Sequence, residues 1–375
     1  MNKIIIFSIV LVTPILLCAQ DNRINVPDDF TKIQEAMNSS VDGDTILVAP
    51  GTYYENVNFK GKNVLLSSYY LFDEDVSFIN KTIIDGSNPH SPDTTSVVLF
   101  LSGEKRTAIL QGFTITGGKG TKILDRLFVR LGGGILIFNS SPTIRHNIIA
   151  FNESINSAGV KFKSGGGISA DNSSAIISNN IIYKNRADNG GGAHLGQNPE
   201  SIFRNNIVAY NASYPIEVGR GGGVWFRGNP GKFINNTIAF NSSEHSGGIG
   251  MVHNPIVNIE NCIIYGNTTG SSNQQIVGSG IINITNSNIE GGWTGDGNID
   301  KNPLFVDHSP LILQARSPCV DQGGPNTADN DWEDPDNPGI SLFPAHGTLR
   351  NDMGAYGGNQ YKLMPYIPML DTTKN

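Results

Sequence analysis

Apolar and polar residues alternate with a period of two through the middle of the chain, and the alternation restarts after each glycine cluster. The clusters are Gly132-Gly133-Gly134, Gly165-Gly166-Gly167, Gly190-Gly191-Gly192, Gly221-Gly222-Gly223 and Gly247-Gly248. The first and third residues that follow are Ile135/Ile137, Ile168/Ala170, Ala193/Leu195, Val224/Phe226 and Ile249/Met251, all apolar. The second and fourth are a mixed set: Leu136/Phe138, Ser169/Asp171, His194/Gly196, Trp225/Arg227 and Gly250/Val252. A period of two predicts a strand with one face packed inward and the other facing out. On that reading Ile168→Asp and Val224→Asp prevent folding, whereas Ser169→Asp is nearly silent.

A second strand is predicted downstream in each copy, at Asn147-Ile148-Ile149, Asn180-Ile181-Ile182, Asn206-Ile207-Val208, Asn236-Thr237-Ile238 and Cys262-Ile263-Ile264. Each copy then closes on an asparagine: Asn152, Asn185, Asn211, Asn241 and Asn267. From the last glycine to that asparagine is 18, 18, 19, 18 and 19 residues, while the closing asparagines lie 33, 26, 30 and 26 apart. A fixed internal length with variable inserts fits stacked coils that carry loops at one corner. The predicted fold is all-β: a single-stranded right-handed parallel β-helix, a solenoid. Successive coils sit roughly 4.8 Å apart, so Asn147, Asn180, Asn206 and Asn236 are expected to stack as a ladder of side-chain amides. Cys262 takes the ladder position in the last copy as a buried thiol.

The ends read differently. Residues 1–19 predict a signal peptide, with Lys3 ahead of the apolar run Ile4 to Leu17 and a small residue at Ala19. Cys18 raises a lipoprotein reading, which the bulky Leu17 before it disfavours. No later stretch has the ~20 apolar residues of a membrane span, so the chain is expected to be secreted or held at the cell surface. Residues 20–106 read as an N-terminal cap and first coils. Phe30, Ile33, Ala36 and Met37 have helical spacing, and Thr31 with Gln34 is placed as a capping box. Residues 107–292 read as the repeat core, and 293–375 as a loop-rich C-terminal cap. With 38% hydrophobic residues in 375, there is ample material for a core.

Specific residues carry a resemblance. The run DGDTILVAPGTYYENV, followed by GKNVLLSS, resembles the first coils of the pectin-lyase-like superfamily. The glycine-cluster and NNIIxxN copies resemble its parallel β-helix repeats, and Phe151-Asn152 and Phe240-Asn241 are similar to the FxxN repeats of chlamydial polymorphic outer-membrane proteins. Asn302 to Asp307, Ser317 to Asp321 and Arg350 to Gly357 resemble the C-terminal region of bacterial extracellular β-helices. The resemblance implies the fold; it does not choose an activity. The DFIFG and GRPW motifs of pectin methylesterases, NTD, GHG and RIK of polygalacturonases, and WxDH and RxPxxR of pectate lyases are missing from the sequence.

Candidate chemistry follows from register. His194 and Trp225 fall in one outward row of neighbouring coils, with Asp171 and Arg227 in the next. An exposed Trp225 would stack on a sugar ring, and Asp171, His194 and Arg227 would bond hydroxyls or carboxylates. His146, His245 and His253 lie in other registers and read as exposed coil residues. The net charge is −7, yet the inserts 119–131, 153–164 and 212–220 carry Lys119, Lys122, Arg126, Arg130, Lys161, Lys163 and Arg220 beside that patch. The expected partner is therefore a polysaccharide of anionic type, with no nucleic acid, and the chain is expected to be a monomer. The alternatives are a polysaccharide lyase or glycoside hydrolase using Asp171, His194 and Arg227, and an adhesin-like or structural envelope protein. Asp329, Asp331, Asp334 and Asp336 alternate in a Pro- and Asn-rich loop and are candidate Ca²⁺ ligands; no other cofactor is expected.

Overall fold

A computed structural model describes residues 22–123, 129–154, 162–197, 200–214, 220–270, 274–306 and 309–365. The expected signal peptide, Arg126 and Lys161 lie outside the described residues. The chain is a right-handed parallel β-helix with three long faces. The glycine face contains Ile135–Phe138, Ile168–Asp171, Ala193–Leu195, Val224–Phe226 and Ile249–Met251 in an eight-stranded sheet. Beside it, a ten-stranded middle face contains Ile176–Ser178, Ile202–Arg204 and Lys232–Ile234. The nine-stranded asparagine face contains Ile148–Ala150, Ile181–Tyr183, Ile207–Ala209, Thr237–Ala239 and Ile263–Tyr265.

Neighbouring coils pair in parallel and in the register that the alternation requires. Ile168, Ala193, Val224 and Ile249 follow one another on the glycine face. Ile177, Phe203, Phe233 and Ile259 do so on the middle face, and Ile182, Val208, Ile238 and Ile264 on the third. All twelve belong to one buried core. The interior is thus three apolar columns, and burying each large side chain contributes about 1.5–3 kcal/mol relative to exposure. Phe203 and Phe233 stack with centroids 5.2 Å apart.

Two columns of carboxamides, not one, run through this core. Asn180 donates from Nδ2 back to Ile144 O at 3.0 Å and forward to Asn206 Oδ1 at 3.1 Å, so one side chain spans three coils. Its backbone N–H also donates to Asn206 Oδ1, at 3.1 Å. Asn147 and Asn206 repeat the pattern, and Asn236 makes the backward bond, to Phe203 O. The closing asparagines form the second ladder. Asn185 Nδ2 reaches Ile149 O at 2.8 Å and Asn211 Oδ1 at 3.0 Å, and the series continues through Asn241 and Asn267 to Gln275. Cys262 substitutes for a rung: Asn236 N donates to its Sγ at 3.3 Å, and the thiol faces Glu260 O at 3.2 Å. Burial pushes that thiol up to about 12.

The residue before each first-ladder amide turns the chain with a left-handed backbone: Asn179, Asn205, Asn235 and Asn261 have φ of 54, 52, 52 and 54°. Asparagine tolerates this region because its short polar side chain bonds locally. Here those side chains face outward and grip the C-terminal segment. Asn235 Nδ2 donates to Asn351 Oδ1 at 2.9 Å, and Asn205 Nδ2 to Gly357 O at 2.8 Å. Asn179 Oδ1 accepts from Lys362 N at 3.0 Å. Besides covering the far end, where Ile299 N donates to Ser287 O at 2.9 Å, the C-terminal region returns along the outside. Ala355, Tyr356 and Met364 pack with Ile148, Ile181 and Ile207 on the outer surface of the asparagine face.

Helix α1 (Ile33–Ser39) covers the first coil with buried Ile33, Ala36 and Met37. Its expected capping box is corrected by the structure. Lys32 occupies the N-cap with no side-chain bond, and the Glu55 carboxylate accepts from Ile33 N at 2.9 Å and Gln34 N at 3.0 Å. Gln34 instead accepts from Asn58 N at 2.7 Å. The cap comes from the following coil, so the helix end and the solenoid are tied together. No helix among the described residues is long and apolar enough to cross a membrane.

Two outcomes follow. Asn206→Leu and Asn211→Leu orphan partners above and below, and each is expected to lower stability by about 1–3 kcal/mol or more in denaturant unfolding; an unchanged midpoint would contradict the ladders. The second concerns Asp331, buried where it accepts from Gly358 N at 2.5 Å and Asp352 N at 3.2 Å. Burial, then the charge of Asp352, pushes its carboxyl from the ordinary 3.8 up to about 9. Between those values the folded chain holds a proton that the unfolded chain has released, so stability falls as pH rises. Burial raises Asp352 to about 7, adding to the same slope. Asp331→Asn keeps an acceptor oxygen and is expected to flatten melting temperature against pH; an unchanged slope would refute the assignment.

Candidate functional site

The outward row of the glycine face runs Leu99, Leu136, Ser169, His194, Trp225, Gly250, each paired in register with the next. The sequence places these side chains at solvent, and the structure corrects that. Ser169 is buried, His194 is 1% exposed and Trp225 9%. Part of the cover is visible: Thr94–Thr95, Gly120–Lys122, Val129–Leu131 and Phe162–Ser164 form a separate four-stranded sheet. Ile123 and Leu131 from this layer close a small core on Leu99 and Leu136. The described residues of the first insert fold over this end of the face, because the apolar half of the row needs a partner.

Further along the same row, polar and aromatic groups meet. Ser169 Oγ lies 2.9 Å from His194 Nδ1. The His194 and Trp225 rings lie 4.9 Å apart at 33°. The Trp225 indole N–H is buried without a hydrogen-bond partner among the described residues. In the adjacent row Asp171 is buried and accepts from Gln197 N at 3.3 Å, over Gly196. A Cβ at Gly196 would fall 2.2 Å from Asp171 Oδ1, so only glycine leaves the carboxylate its room. Arg227 alone of the four is exposed. The register therefore brings His194 and Trp225 together as expected, but not as a surface patch.

The basic residues also differ from expectation. Arg130 is buried, with Nη1 donating to Gly120 O at 2.7 Å and Thr95 Oγ1 at 2.9 Å. Lys163 is buried and paired with Asp188 at 2.9 Å. Burial outweighs that lysine and holds the Asp188 carboxyl above its ordinary value. Lys122 pairs with Asp93 at 2.6 Å, and Lys119 lies 3.8 Å from Glu153. The lysine hydrogen bond and charge pull the Asp93 carboxyl down. Much of the expected basic edge is thus neutralised inside the insert layer.

What faces solvent at this corner is a different set. Phe162 is 59% exposed and Tyr214 40%. The Arg186 guanidinium lies 4.6 Å from the Tyr214 ring centroid. Ser164 bridges Asn189, which bridges Arg220, while Tyr214 N donates to Ala187 O. Phe162 and Tyr214 therefore lie about two coil spacings apart, roughly 10 Å, with Arg186 in the coil between. Half-buried Arg220 and exposed Arg227 have no carboxylate partner among the described residues. Sequence reasoning missed Phe162 and Tyr214, whose only signal was a bulky aromatic inside a polar insert.

The calcium expectation is corrected too. Asp331 is buried among backbone donors. Asp334 accepts from Asp336 N at 2.9 Å and Asn337 Nδ2 at 2.8 Å, and Asp329 from Asn326 Nδ2 at 2.7 Å. The Asp329 and Asp334 carboxylates each serve their own turn, and Asp336 is exposed. Among the described residues no three His, Cys, Asp or Glu side chains assemble as a metal site. His146 is likewise not an exposed coil residue: it packs 5.2 Å from the Tyr70 ring, and burial pulls its imidazole down to about 3.

The family model described as a right handed beta helix region matches residues 31–229 and 133–302. A comparison with curated proteins returned no match. Among solved structures, a pectin methylesterase from Aspergillus niger is 14% identical over 78% of this chain and 94% of its own, with a TM-score of 0.33. A pectate lyase is 12% identical over 90% of this chain and 96% of its own, with a TM-score of 0.39.

The burial of the outward row sets a test. Ser169→Asp, silent on the sequence reading, is now expected to destabilise about as much as Ile168→Asp, because each buries an unpaired charge. A Ser169→Asp chain that melts with the parent would show that the row is open to water.

Proposed function

We propose, for a chain that belongs to the right-handed β-helix family, that it is an exported, monomeric protein which binds an anionic polysaccharide along the insert corner. The observation that carries this reading is the set of exposed Phe162, Tyr214, Arg186 and Arg227, with half-buried Arg220, on successive coils. A pyranose ring presents an apolar C–H face that stacks on Phe or Tyr. A guanidinium accepts a carboxylate through two parallel hydrogen bonds, which an ammonium cannot match. A polymer with repeating rings and carboxylates suits a corner where both features recur along the solenoid axis. Trp225 and His194 lie below, and their part is to support the strand that carries Arg227.

The lyase reading asks more of the same residues. Arg227 could neutralise a uronate carboxylate, but a base must come within about 2.6–3.2 Å of the C5 proton. Asp171 and His194 are buried, which favours binding over catalysis.

Calorimetry of the mature chain with polygalacturonate and with a neutral glucan tests the proposal. Tyr214→Ala is expected to weaken polygalacturonate binding about fivefold at every salt concentration, about 1 kcal/mol. Arg227→Ala is expected to weaken it at low salt and to converge on the parent near ~0.5 M, where charges are screened over several Å. Undetectable polygalacturonate binding, or full affinity in both variants, would overturn the reading. A rise in absorbance from unsaturated uronate products would replace binding with lyase activity.

A further inference from the structure

A second surface feature lies away from the insert corner, where three distant parts of the chain meet. Helix α2 (Tyr70–Asp73) supplies the turn containing Glu74 and Asp75. The returning C-terminal segment supplies Lys362 and Leu363, and the loop-rich region supplies Trp332 and Phe343. Together they line a cleft of about 620 Å³. Trp332 is 47% exposed and Phe343 59%, so two large aromatic rings stay at solvent within one concave site.

The cleft is held by bonds between its walls. Lys362 Nζ lies 2.7 Å from Glu74 Oε2, and Lys362 N donates to Asn179 Oδ1 at 3.0 Å. The Tyr361 hydroxyl donates to Leu342 O, and Leu342 N donates to Trp332 O at 2.6 Å. Phe343 meets the His346 ring edge-on at 6.0 Å. The backbone segments that carry the aromatic rings are therefore tied to one another before any ligand arrives, which lowers the entropy cost of binding.

Its chemistry selects a class of ligand. Two exposed rings beside polar groups match a pyranose, which is apolar on its C–H face and hydroxylated at its edge. Glu74 keeps one carboxylate oxygen outside its ion pair with Lys362, and Asp75 accepts from Ser77 while retaining free lone pairs. Two carboxylates against one ammonium leave the rim negative, which repels a uronate or sulfated sugar and leaves neutral hydroxyls favoured.

We propose that this cleft is a glycan-binding site for neutral sugar residues, with Trp332 and Phe343 as the stacking platform and Glu74, Asp75 and Lys362 as hydroxyl partners. It is separate from the insert corner and does not depend on that reading. A chain with both sites would grip a mixed polysaccharide at two places, neutral stretches here and charged stretches at the corner.

The test is calorimetry of the mature full chain with cellohexaose, xylohexaose, mannohexaose and laminarihexaose, and with hexagalacturonate as the anionic arm. At least one neutral hexasaccharide is expected to bind. Trp332→Ala is expected to weaken it about tenfold and Phe343→Ala about fivefold, while Trp332→Phe retains most of the affinity. Circular dichroism of each variant confirms that the chain still folds. Tyr214→Ala and Arg227→Ala are expected to leave this binding unchanged, which separates failure here from failure at the corner. Three results would overturn the proposal: no neutral hexasaccharide binds, the Trp332→Ala/Phe343→Ala chain binds undiminished, or hexagalacturonate is preferred at this cleft. Binding that emerges only after removal of residues 366–375 would also overturn it, because the chain's own Tyr366 to Leu370 would then be the occupant.

Discussion

Four successive coils, from Asn147 to Asn241, each bury two side-chain amides, and each amide must find partners in the coils beside it. Asn180 and Asn185 bracket one strand of the asparagine face, as do Asn206 with Asn211 and Asn236 with Asn241. An unpaired buried carboxamide costs more than a made hydrogen bond contributes, so a coil out of register is penalised twice. This explains the nearly constant length from glycine cluster to closing asparagine. The second ladder and the glycine turn must meet their counterparts together. Additional residues can enter only after the second ladder, at the corner before the next glycines, and that is where the inserts occur. At that turn Gly190 has φ 61°, and a Cβ there would fall 2.2 Å from Ala193 O.

The same constraint assigns the outside of the solenoid. A left-handed asparagine precedes the first-ladder residues Asn180, Asn206, Asn236 and Cys262, so one side chain of each pair points in and the asparagine before it points out. The outer column then provides a regular set of donors and acceptors along the axis, and the C-terminal segment binds it from Asn261 back to Asn179. The segment ends near α2, where Lys362 meets Glu74. Fold completion and the aromatic cleft thus share one cause: a tail that must lie where the asparagines are.

The inward columns were legible because apolar residues recur with a period of two and nothing interrupts them. The first ladder was legible from the NN pairs. The closing asparagines were visible as punctuation, but their spacing alone did not distinguish a surface turn from a second buried ladder. Contacts between segments distant in sequence left weaker signals. The strands Gly120–Lys122 and Phe162–Ser164 are three residues long and polar, so periodicity does not reveal them. Without them Leu136 looks exposed, and Arg130 and Lys163 look like a basic fringe. Glu55 capping α1 likewise depends on a coil that follows the helix. The register of His194 and Trp225 was legible, and their burial was not. Phe162 and Tyr214 became visible only once the insert layer was in place.

The two proposed glycan surfaces are physically compatible on one solenoid, because the ladders stiffen the axis between them and fix the distance a polymer must span. The claim beneath the whole account is that the asparagine amides are buried structural members. Hydrogen exchange of the side-chain NH₂ groups, followed by NMR on the mature chain, tests this most directly. The account predicts that Asn180, Asn206, Asn211 and Asn241 exchange as slowly as the backbone amide of Val208 between them, while exposed Asn172 exchanges at once. Ladder amides that exchange as fast as Asn172 would contradict it.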